Sequence, residues 1–455
     1  AVSAPFPDAL ARERERFMRC KASPQSAALR HLFFAERDAG RIPGLDSAAA
    51  PRPIRSVAVL GAGTMGSGIA LACLRAGCDV LLLDSSDEAL DAGRGRIEAL
   101  LQQRVEKGRI QSEEAAADLG RLQLAREFDS LSGVDLVIEA VFENMDVKTD
   151  VFARLDQVCK PGTVLATNTS TLDVDRIAAA TTRPQDVIGL HFFSPAHVMR
   201  LLEIVRGNAT ADDVIATAMA FARRLRKVGV LVGNCFGFVG NRMLYGYGRE
   251  SQKLLLEGVA PERIDRVLYD WGMAMGPHAV GDLAGLDVGY RVRKERTDLP
   301  DDPCFYRIAD MLVERGRLGQ KTGMGMYDYR EGERAAHPSA EVAEMIRAEA
   351  NRLGVVQREI DDQEIVERCI FALINEGARC LEEGIAMRAA DIDVIWVNGY
   401  GFPRHRGGPM FYASQIGLDK VYHGICRFRD TLDERYWQPA ALLEKVAAGD
   451  SAAAW

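Results

Sequence analysis

The chain has 455 residues, room for two or three domains with full cores, and its formal net charge of -8 excludes a general nucleic-acid binder, which needs a basic face. No apolar run reaches the roughly 20 residues of a membrane span. Nine cysteines are scattered with no C-x-x-C pair and no His cluster at zinc spacing, so they read as reduced thiols in a cytoplasmic protein that holds no metal.

The N-terminal residues lack the apolar core of a secretory signal, and the missing initiator Met reads as a processed or excised piece. The end, Ala452-Ala453-Ala454-Trp455, is not a peroxisomal address of the Ser-Lys-Leu kind. In chain order, periodicity predicts two helices over 8–20 and 24–38, without chemistry of their own, then a small-residue and Pro linker at 44–53. Ser56–Leu60 is an apolar strand, followed by Gly61-Ala62-Gly63-Thr64-Met65-Gly66, a helix through Ala76, and a strand Val80–Leu83 closed by Asp84. Strand, G-x-G-x-x-G, helix, strand and acid form the fingerprint of a dinucleotide site. Gly61 permits the tight turn, Gly63 lets the backbone approach a pyrophosphate, and Gly66 lets the helix pack on the sheet. The helix N-terminus offers free N–H groups to the phosphates. Asp84 would accept from the adenosine ribose, and Ser85 and Ser86, with no adjacent Arg for a 2′-phosphate, favour NAD over NADP.

Helices at 87–107 and 112–119 precede strands at 122–124 and 135–140, a helix at 147–159, and strands at 163–167, 187–191 and 201–205. A helix at 211–226 leads to a last strand at 229–232. This alternation predicts an α/β, Rossmann-type, doubly wound and largely parallel sheet, with ligands outside the strand carboxyl ends. Glu143, the run Asn168-Thr169-Ser170, and His191 all stand at such ends. If Val187–His191 and Leu201–Val205 pair as antiparallel neighbours about a loop centred near His197, His191 falls opposite Glu203, at roughly 4.5–5.5 Å. An imidazole held by a carboxylate is suited to general-base work near neutral pH. Alone, such a pair reads as a buried structural histidine; the convergence of strand-end polar groups turns the reading towards catalysis.

Beyond Gly233 the pattern is helical. A long helix over 236–256 opens with Gly237-Phe238-Val239-Gly240-Asn241-Arg242, and Asn241 is a polar side chain in an apolar turn. Shorter helices run to 316, a glycine-punctuated connection spans 316–329, and 330–338 reads as a polar linker. The order Arg242, Glu250, Glu257-Gly258, Ile264-Asp265 returns as Arg368, Glu376, Glu383-Gly384, Ile392-Asp393, with the spacings equal as far as Glu257-Gly258 and Glu383-Gly384. It predicts an all-α domain duplicated in tandem, with Glu367 where the first copy has Asn241. The remaining histidines, His31, His197, His278, His337, His405 and His423, are expected in surface or capping roles.

Five motifs, GAGTMGSGIA, IEAVFENMDVK, NTSTL, HFFSP…LLEIV and GFVGNR, resemble the L-3-hydroxyacyl-CoA dehydrogenases in order and spacing. With GRLGQKTGMGMYDY, NGYGFPRHRGGPMFYA and the duplication, the chain is similar to the dehydrogenase half of multifunctional fatty-acid β-oxidation enzymes, in which an enoyl-CoA hydratase/isomerase half comes first. The resemblance implies the last helices of that hydratase half at 1–45 and a linker at 46–53. An NAD-binding Rossmann domain at 54–233 and two helical dehydrogenase copies at 234–330 and 331–455 would follow. It implies NAD-dependent oxidation of L-3-hydroxyacyl-CoA, with His191 as base, Glu203 holding it, and Ser170 and Asn241 on the substrate oxygens. Gly61, Gly63, Met65, Gly66 and Asp84 would line the adenosine and pyrophosphate, with Glu143, Lys148 and Ser194 nearer the nicotinamide. Ser194 replaces the Asn usual in stand-alone members. Lys107 would meet coenzyme A, although Leu100 replaces a Ser beside it. Asn398 takes the place of a substrate-contacting Tyr. Arg404 and Arg406 are expected to support a loop. A thiolase partner and the oligomeric state are left open. Two other readings remain: a catalytically silent, crystallin-like NAD binder, and a hydratase or isomerase.

Overall fold

The computed structural model describes residues 5–46, 49–330, 332–333, 335–450 and 455. Between Ser56 and Gly233 the short apolar runs assemble into one sheet of eight strands: β1 (Ser56–Leu60), β2 (Asp79–Leu83), β3 (Leu122–Ala125), β4 (Leu136–Glu139), β5 (Val164–Thr167), β6 (Val187–Phe192), β7 (Leu201–Arg206) and β8 (Val228–Gly233), in the order β3-β2-β1-β4-β5-β6-β7-β8. Every neighbouring pair is parallel except β6 with β7. All residues of β4, β5 and β6 are buried, as expected for parallel strands covered by helices on both faces. The segment 193–200 is too short for the crossover that a parallel return needs, so β7 runs back along β6.

Helices α1 (Phe6–Lys21) and α2 (Pro24–Asp38) precede the sheet; α3 (Thr64–Arg75), α4 (Asp87–Glu106), α5 (Ser112–Leu119), α6 (Met145–Val158), α7 (Val174–Ala178) and α8 (Asp212–Arg224) are interleaved with it. The five-residue α7 was not expected, because so short a helix shows no periodicity. Helix α9 (Gly240–Leu256) starts four residues later than predicted. Gly237 and Phe238 have φ of 72° and 51°, a left-handed turn that cannot continue into a right-handed helix.

The helices that follow are α10 (Pro261–Trp271), α11 (Pro277–Ala284), α12 (Leu286–Glu295), α13 (Arg307–Glu314), α14 (Ala340–Leu353), α15 (Asp362–Glu382), α16 (Ala389–Gly399), α17 (Pro409–Ile416), α18 (Leu418–Thr431), α19 (Glu434–Trp437) and α20 (Ala441–Ala447). The stretch predicted as connection and polar linker contains a hairpin, Tyr327–Tyr329 against Ala336–Pro338. Buried Asp282 organises its first strand, accepting from Met326 N at 2.8 Å, Tyr327 N at 2.9 Å and the Tyr329 hydroxyl at 2.9 Å.

Contacts divide the chain into two units that cut across chain order. One is Arg30–Asn241 with Glu383–Tyr400; the other takes Arg242–Glu382, Gly401–Trp455 and the residues up to Leu29. In the first unit α16, a helix of the second copy, packs on β7 and β8, and Gly233 N donates to Ile385 O at 2.8 Å. The start of β4 is tied to that of β1 at Asp135, which accepts from Arg55 N at 2.9 Å, Ser56 N at 3.0 Å and Lys160 Nζ at 2.8 Å.

In the second unit the duplication becomes a reciprocal pairing. Arg242 Nε of the first copy meets Glu376 Oε1 of the second at 2.6 Å; Arg368 Nη2 of the second meets Glu250 Oε2 of the first at 2.9 Å. Midway between them Gly246 faces Ala372, leaving 3.5 Å from a Cβ placed on the glycine to the Ala372 carbonyl oxygen. Arg242 and Arg368, Gly246 and Ala372, and Glu250 and Glu376 are all the same distance apart in sequence, so the two copies meet like the halves of a two-fold dimer. The Arg368 side chain is 1% exposed and also reaches Glu257 Oε1 at 2.7 Å. Burial raises the Glu250 pKa, but Arg368 and Arg249 outweigh it and hold the carboxyl below its usual range.

Arg368→Ala should destabilise the protein by about 3–5 kcal/mol, because it breaks a buried ion pair, removing the cation that Glu250 and Glu257 share and leaving Arg249 to offset Glu250, as measured by urea unfolding at pH 7. Asp135 gives a pH-dependent counterpart. Partial burial pushes its pKa up, but Lys160 and the N–H groups of Ser56 and Arg55 bring it from 3.8 down to about 2. A carboxyl depressed in the folded state adds stability above its unfolded pKa, and that contribution disappears as pH falls through the folded value. Asp135→Asn should therefore cost roughly 2 kcal/mol at pH 7, with the difference from wild type closing between pH 4 and pH 2.

Candidate active site

The carboxyl ends of β1, β2, β4, β5 and β6 carry the polar groups of the site. At β1 the glycine loop is set by close approaches. Gly61 has φ of 96°, and a Cβ there would lie 2.6 Å from Ala140 O; one on Gly66 would lie 1.7 Å from Gly61 O. Gly63 is different: nothing lies within 4 Å of its Cβ position. Helix α3 begins at Gly63 without a side-chain cap, with Met65 half-buried in its first turn. Asp84 Oδ2, at the end of β2, accepts from Ala62 N at 2.8 Å, which fixes the acid beside the loop. Open space over Gly63, uncapped helix N–H groups and an anchored acid fit a dinucleotide's pyrophosphate and ribose.

At the ends of β4 and β5 a buried charge network forms. Lys148 Nζ on α6 meets Glu139 Oε1 at 2.6 Å and Glu143 Oε2 at 3.2 Å. Glu143 Oε1 accepts from Thr169 Oγ1 and Ser170 N, both at 2.7 Å, and from Ser170 Oγ at 3.1 Å. Burial raises the Glu143 pKa, but Lys148 and the Ser170 N–H outweigh it and keep the carboxyl below its usual range. Lys148, expected at the nicotinamide half of the cofactor, has no exposed side-chain surface and lies beneath Glu143.

At β6 the expected pair forms in the expected register: His191 stands opposite Glu203. His191 Nδ1 and Glu203 Oε2 are 2.8 Å apart, and Glu203 Oε1 accepts from Gly240 N at 3.0 Å. Glu203 is fully buried and His191 is 6% exposed. The rings of Phe193 and Phe238 stand 4.4 and 5.7 Å from the imidazole, centroid to centroid. Asn168 Oδ1 accepts from Phe192 N at 2.8 Å, which fastens the end of β6 to β5.

Asn241 connects the two halves. Its Nδ2 donates to Ser170 O at 3.3 Å, and its Oδ1 accepts from the Tyr400 hydroxyl at 2.9 Å. Burial and the Glu203 charge raise the Tyr400 pKa well above the usual range, so the phenol stays a donor. With Tyr400 on Oδ1, the amide is fixed with Nδ2 as its donor end. Glu143, Ser170, Asn241 and Tyr400 thus form one hydrogen-bonded chain, and Glu203 reaches the residue before Asn241.

Other expected residues are not gathered in. The Asn398 amide donates to Glu36 Oε1 at 3.1 Å and to Val394 O at 3.0 Å, so from this helix it is Tyr400, not Asn398, that joins the site. Ser194 is exposed in the β6–β7 loop, and Lys107 is exposed at the end of α4. His278, expected near the surface, is buried. Two residues of the site escaped the sequence. Glu139 had a signal, an acid closing an apolar strand, the same one that marks His191. Tyr400 had none, because its partner lies 159 residues away.

The NAD-binding domain of 3-hydroxyacyl-CoA dehydrogenases matches residues 56–235, and their C-terminal domain matches twice, at 237–329 and 365–452. The chain is 45% identical to a peroxisomal bifunctional enzyme of Danio rerio, over 99% of its own length and 65% of that relative's. It is 43% identical to a Homo sapiens enzyme of the same name, over 98% and 64%. The chain therefore spans just under two thirds of those relatives. Among solved structures, a 3-hydroxybutyryl-CoA dehydrogenase of Escherichia coli superposes with a TM-score of 0.76 at 30% identity, covering 88% of this chain and 100% of that one. The dehydrogenase part of a multifunctional enzyme 1 from C. elegans gives 0.67 at 31% identity, covering 91% and 96%. The peroxisomal names overturn the cytoplasmic expectation. Free thiols report redox conditions, not an address, so the cysteines could not distinguish the two compartments.

The glycine loop generates a contrast between packing and access. Gly66→Ala should cost about 1–3 kcal/mol, since its methyl has no room against Gly61 O. Gly63→Ala should leave urea stability within about 0.5 kcal/mol of wild type, because its φ is ordinary and its methyl meets open space.

Proposed function

The chain belongs to the 3-hydroxyacyl-CoA dehydrogenase family, and from that premise we propose that it oxidises L-3-hydroxyacyl-CoA to 3-ketoacyl-CoA with NAD in fatty-acid β-oxidation. The observation that carries the reading is the fully buried Glu203 held 2.8 Å from His191 Nδ1. With Nδ1 tied to a carboxylate, Nε2 is the nitrogen that takes the proton of the 3-hydroxyl. The negative charge of Glu203 favours the imidazolium that results, and its anchoring by Gly240 N keeps the ring from turning.

NAD, when bound, supplies the hydride acceptor; Gly63, the first turn of α3 and Asp84 would hold its pyrophosphate and ribose. Asn241 Nδ2 has a second N–H beyond the one on Ser170 O, and that donor suits the C3 oxygen as it becomes a carbonyl. Ser170 Oγ, which donates to Glu143 at 3.1 Å, would turn its proton to the same oxygen. Glu143 and Ser170 together line the nicotinamide end. The peroxisomal relatives support a peroxisomal setting, and their name, bifunctional, supports a second activity beside this one, for which the resemblance in sequence suggests the hydratase half.

His191→Gln should lower kcat for acetoacetyl-CoA reduction by NADH about 10²–10⁴-fold while NADH binding, followed by fluorescence, stays within threefold. Turnover equal to wild type in that variant would remove His191 from the mechanism.

A further inference from the structure

Lys148 is completely shut off from solvent, so any effect it has on a ligand must pass through the groups around it. Two carboxylates share its ammonium, and they differ in kind. Glu143 is one-third exposed and makes the longer contact, 3.2 Å; Glu139 is fully buried and makes the shorter, 2.6 Å. Both oxygens of Glu139 are committed. Oε1 also accepts from Val141 N at 2.8 Å, and Oε2 accepts from Thr167 Oγ1 at 2.7 Å. Val141 begins the turn that leads to Glu143, and Thr167 ends the strand that leads to Ser170. One buried carboxylate therefore fastens the two segments that carry the cofactor-facing pair, and supplies the charge that keeps an ammonium in a dry interior.

We propose that Glu139, fixed by Thr167 and Val141 N, is a positioning residue for the dehydrogenase reaction: through Lys148 it holds the Glu143 carboxylate, and with it Ser170, in the geometry that receives the nicotinamide end of the cofactor. The inference rests on the dehydrogenase reading above. Without the Glu139 charge, Lys148 has Glu143 as its one remaining carboxylate within ion-pair distance among the described residues. Glu143 would then turn towards the ammonium and away from Thr169 and Ser170. Glu139→Gln is a conservative probe, since the amide oxygen can serve Lys148 and Val141 N while the amide nitrogen donates to Thr167 Oγ1, whose hydroxyl turns to accept.

The test is a double-mutant cycle in the full chain with Glu139→Gln, Lys148→Met and their combination. It reads NADH affinity by fluorescence titration, KM for NADH and for acetoacetyl-CoA, and urea stability without ligand. Glu139→Gln should weaken NADH binding and raise its KM about tenfold, with KM for acetoacetyl-CoA within twofold. In the Lys148→Met background it should change NADH affinity by less than twofold. If Glu139→Gln does not fold, Thr167→Val takes its place: it should weaken NADH about threefold in the wild-type chain and hardly at all beside Lys148→Met. Unchanged NADH affinity in a folded Glu139→Gln protein, an effect that adds fully to Lys148→Met, or equal losses for both substrates would overturn the proposal. A wild-type chain that neither binds NADH nor reduces acetoacetyl-CoA would instead overturn the dehydrogenase reading itself.

Discussion

The register of β6 against β7 is the constraint from which the site follows. Because β7 runs antiparallel to β6, residues on the two strands face each other directly, and His191 meets Glu203. A slip of one residue would set Leu202 or Ile204 opposite the imidazole and leave the carboxylate buried among apolar side chains. The buried charge therefore helps to specify the register that makes it useful. The same carboxylate accepts Gly240 N, so the start of α9, and with it Asn241, takes its position from β7.

Buried charge recurs at two other points, with different consequences. Glu139 with Lys148 and Glu250 with Arg368 are both shielded pairs in which each carboxylate finds more than one donor. Such pairs gain little over an apolar pair of the same shape, and they cost much when one member is lost. At Arg368 the pair sets how one helical copy meets the other. At Glu139 it lies beneath Glu143, and Lys148 bridges the two carboxylates.

The duplication also explains why contact units and chain order disagree. Helix α16 belongs to the repeated pattern, but it packs on β7 and β8 and carries Tyr400 to Asn241. In the repeat, Glu367 takes the place of Asn241 and is paired instead with Arg427 at 2.7 Å. The second copy thus contributes to the site through one tyrosine, with its own counterpart of Asn241 closed by an ion pair.

Local patterns determined a great deal. The glycine loop, Asp84 and Glu143 at their strand ends, the apolar runs 187–191 and 201–205 with one polar residue each, and the Arg–Glu spacing of the repeat were all legible, because each depends on nearest neighbours or a fixed period. So was the pairing of His191 with Glu203, given antiparallel strands about a loop centred near His197, since it sets the one polar residue of each run opposite the other. Tertiary structure alone decided the rest. Tyr400, not Asn398, reaches Asn241; Lys148 lies under Glu143; α16 joins the sheet; and each copy's arginine takes the other copy's glutamate. These outcomes depend on which faces meet across more than a hundred residues, and such contacts leave no period or spacing in the chain. Tertiary structure also changed the pair at His191: a histidine and an acid in sequence, it is tied in space through Glu203 to the N–H that opens α9, one residue before an amide oriented from the second copy.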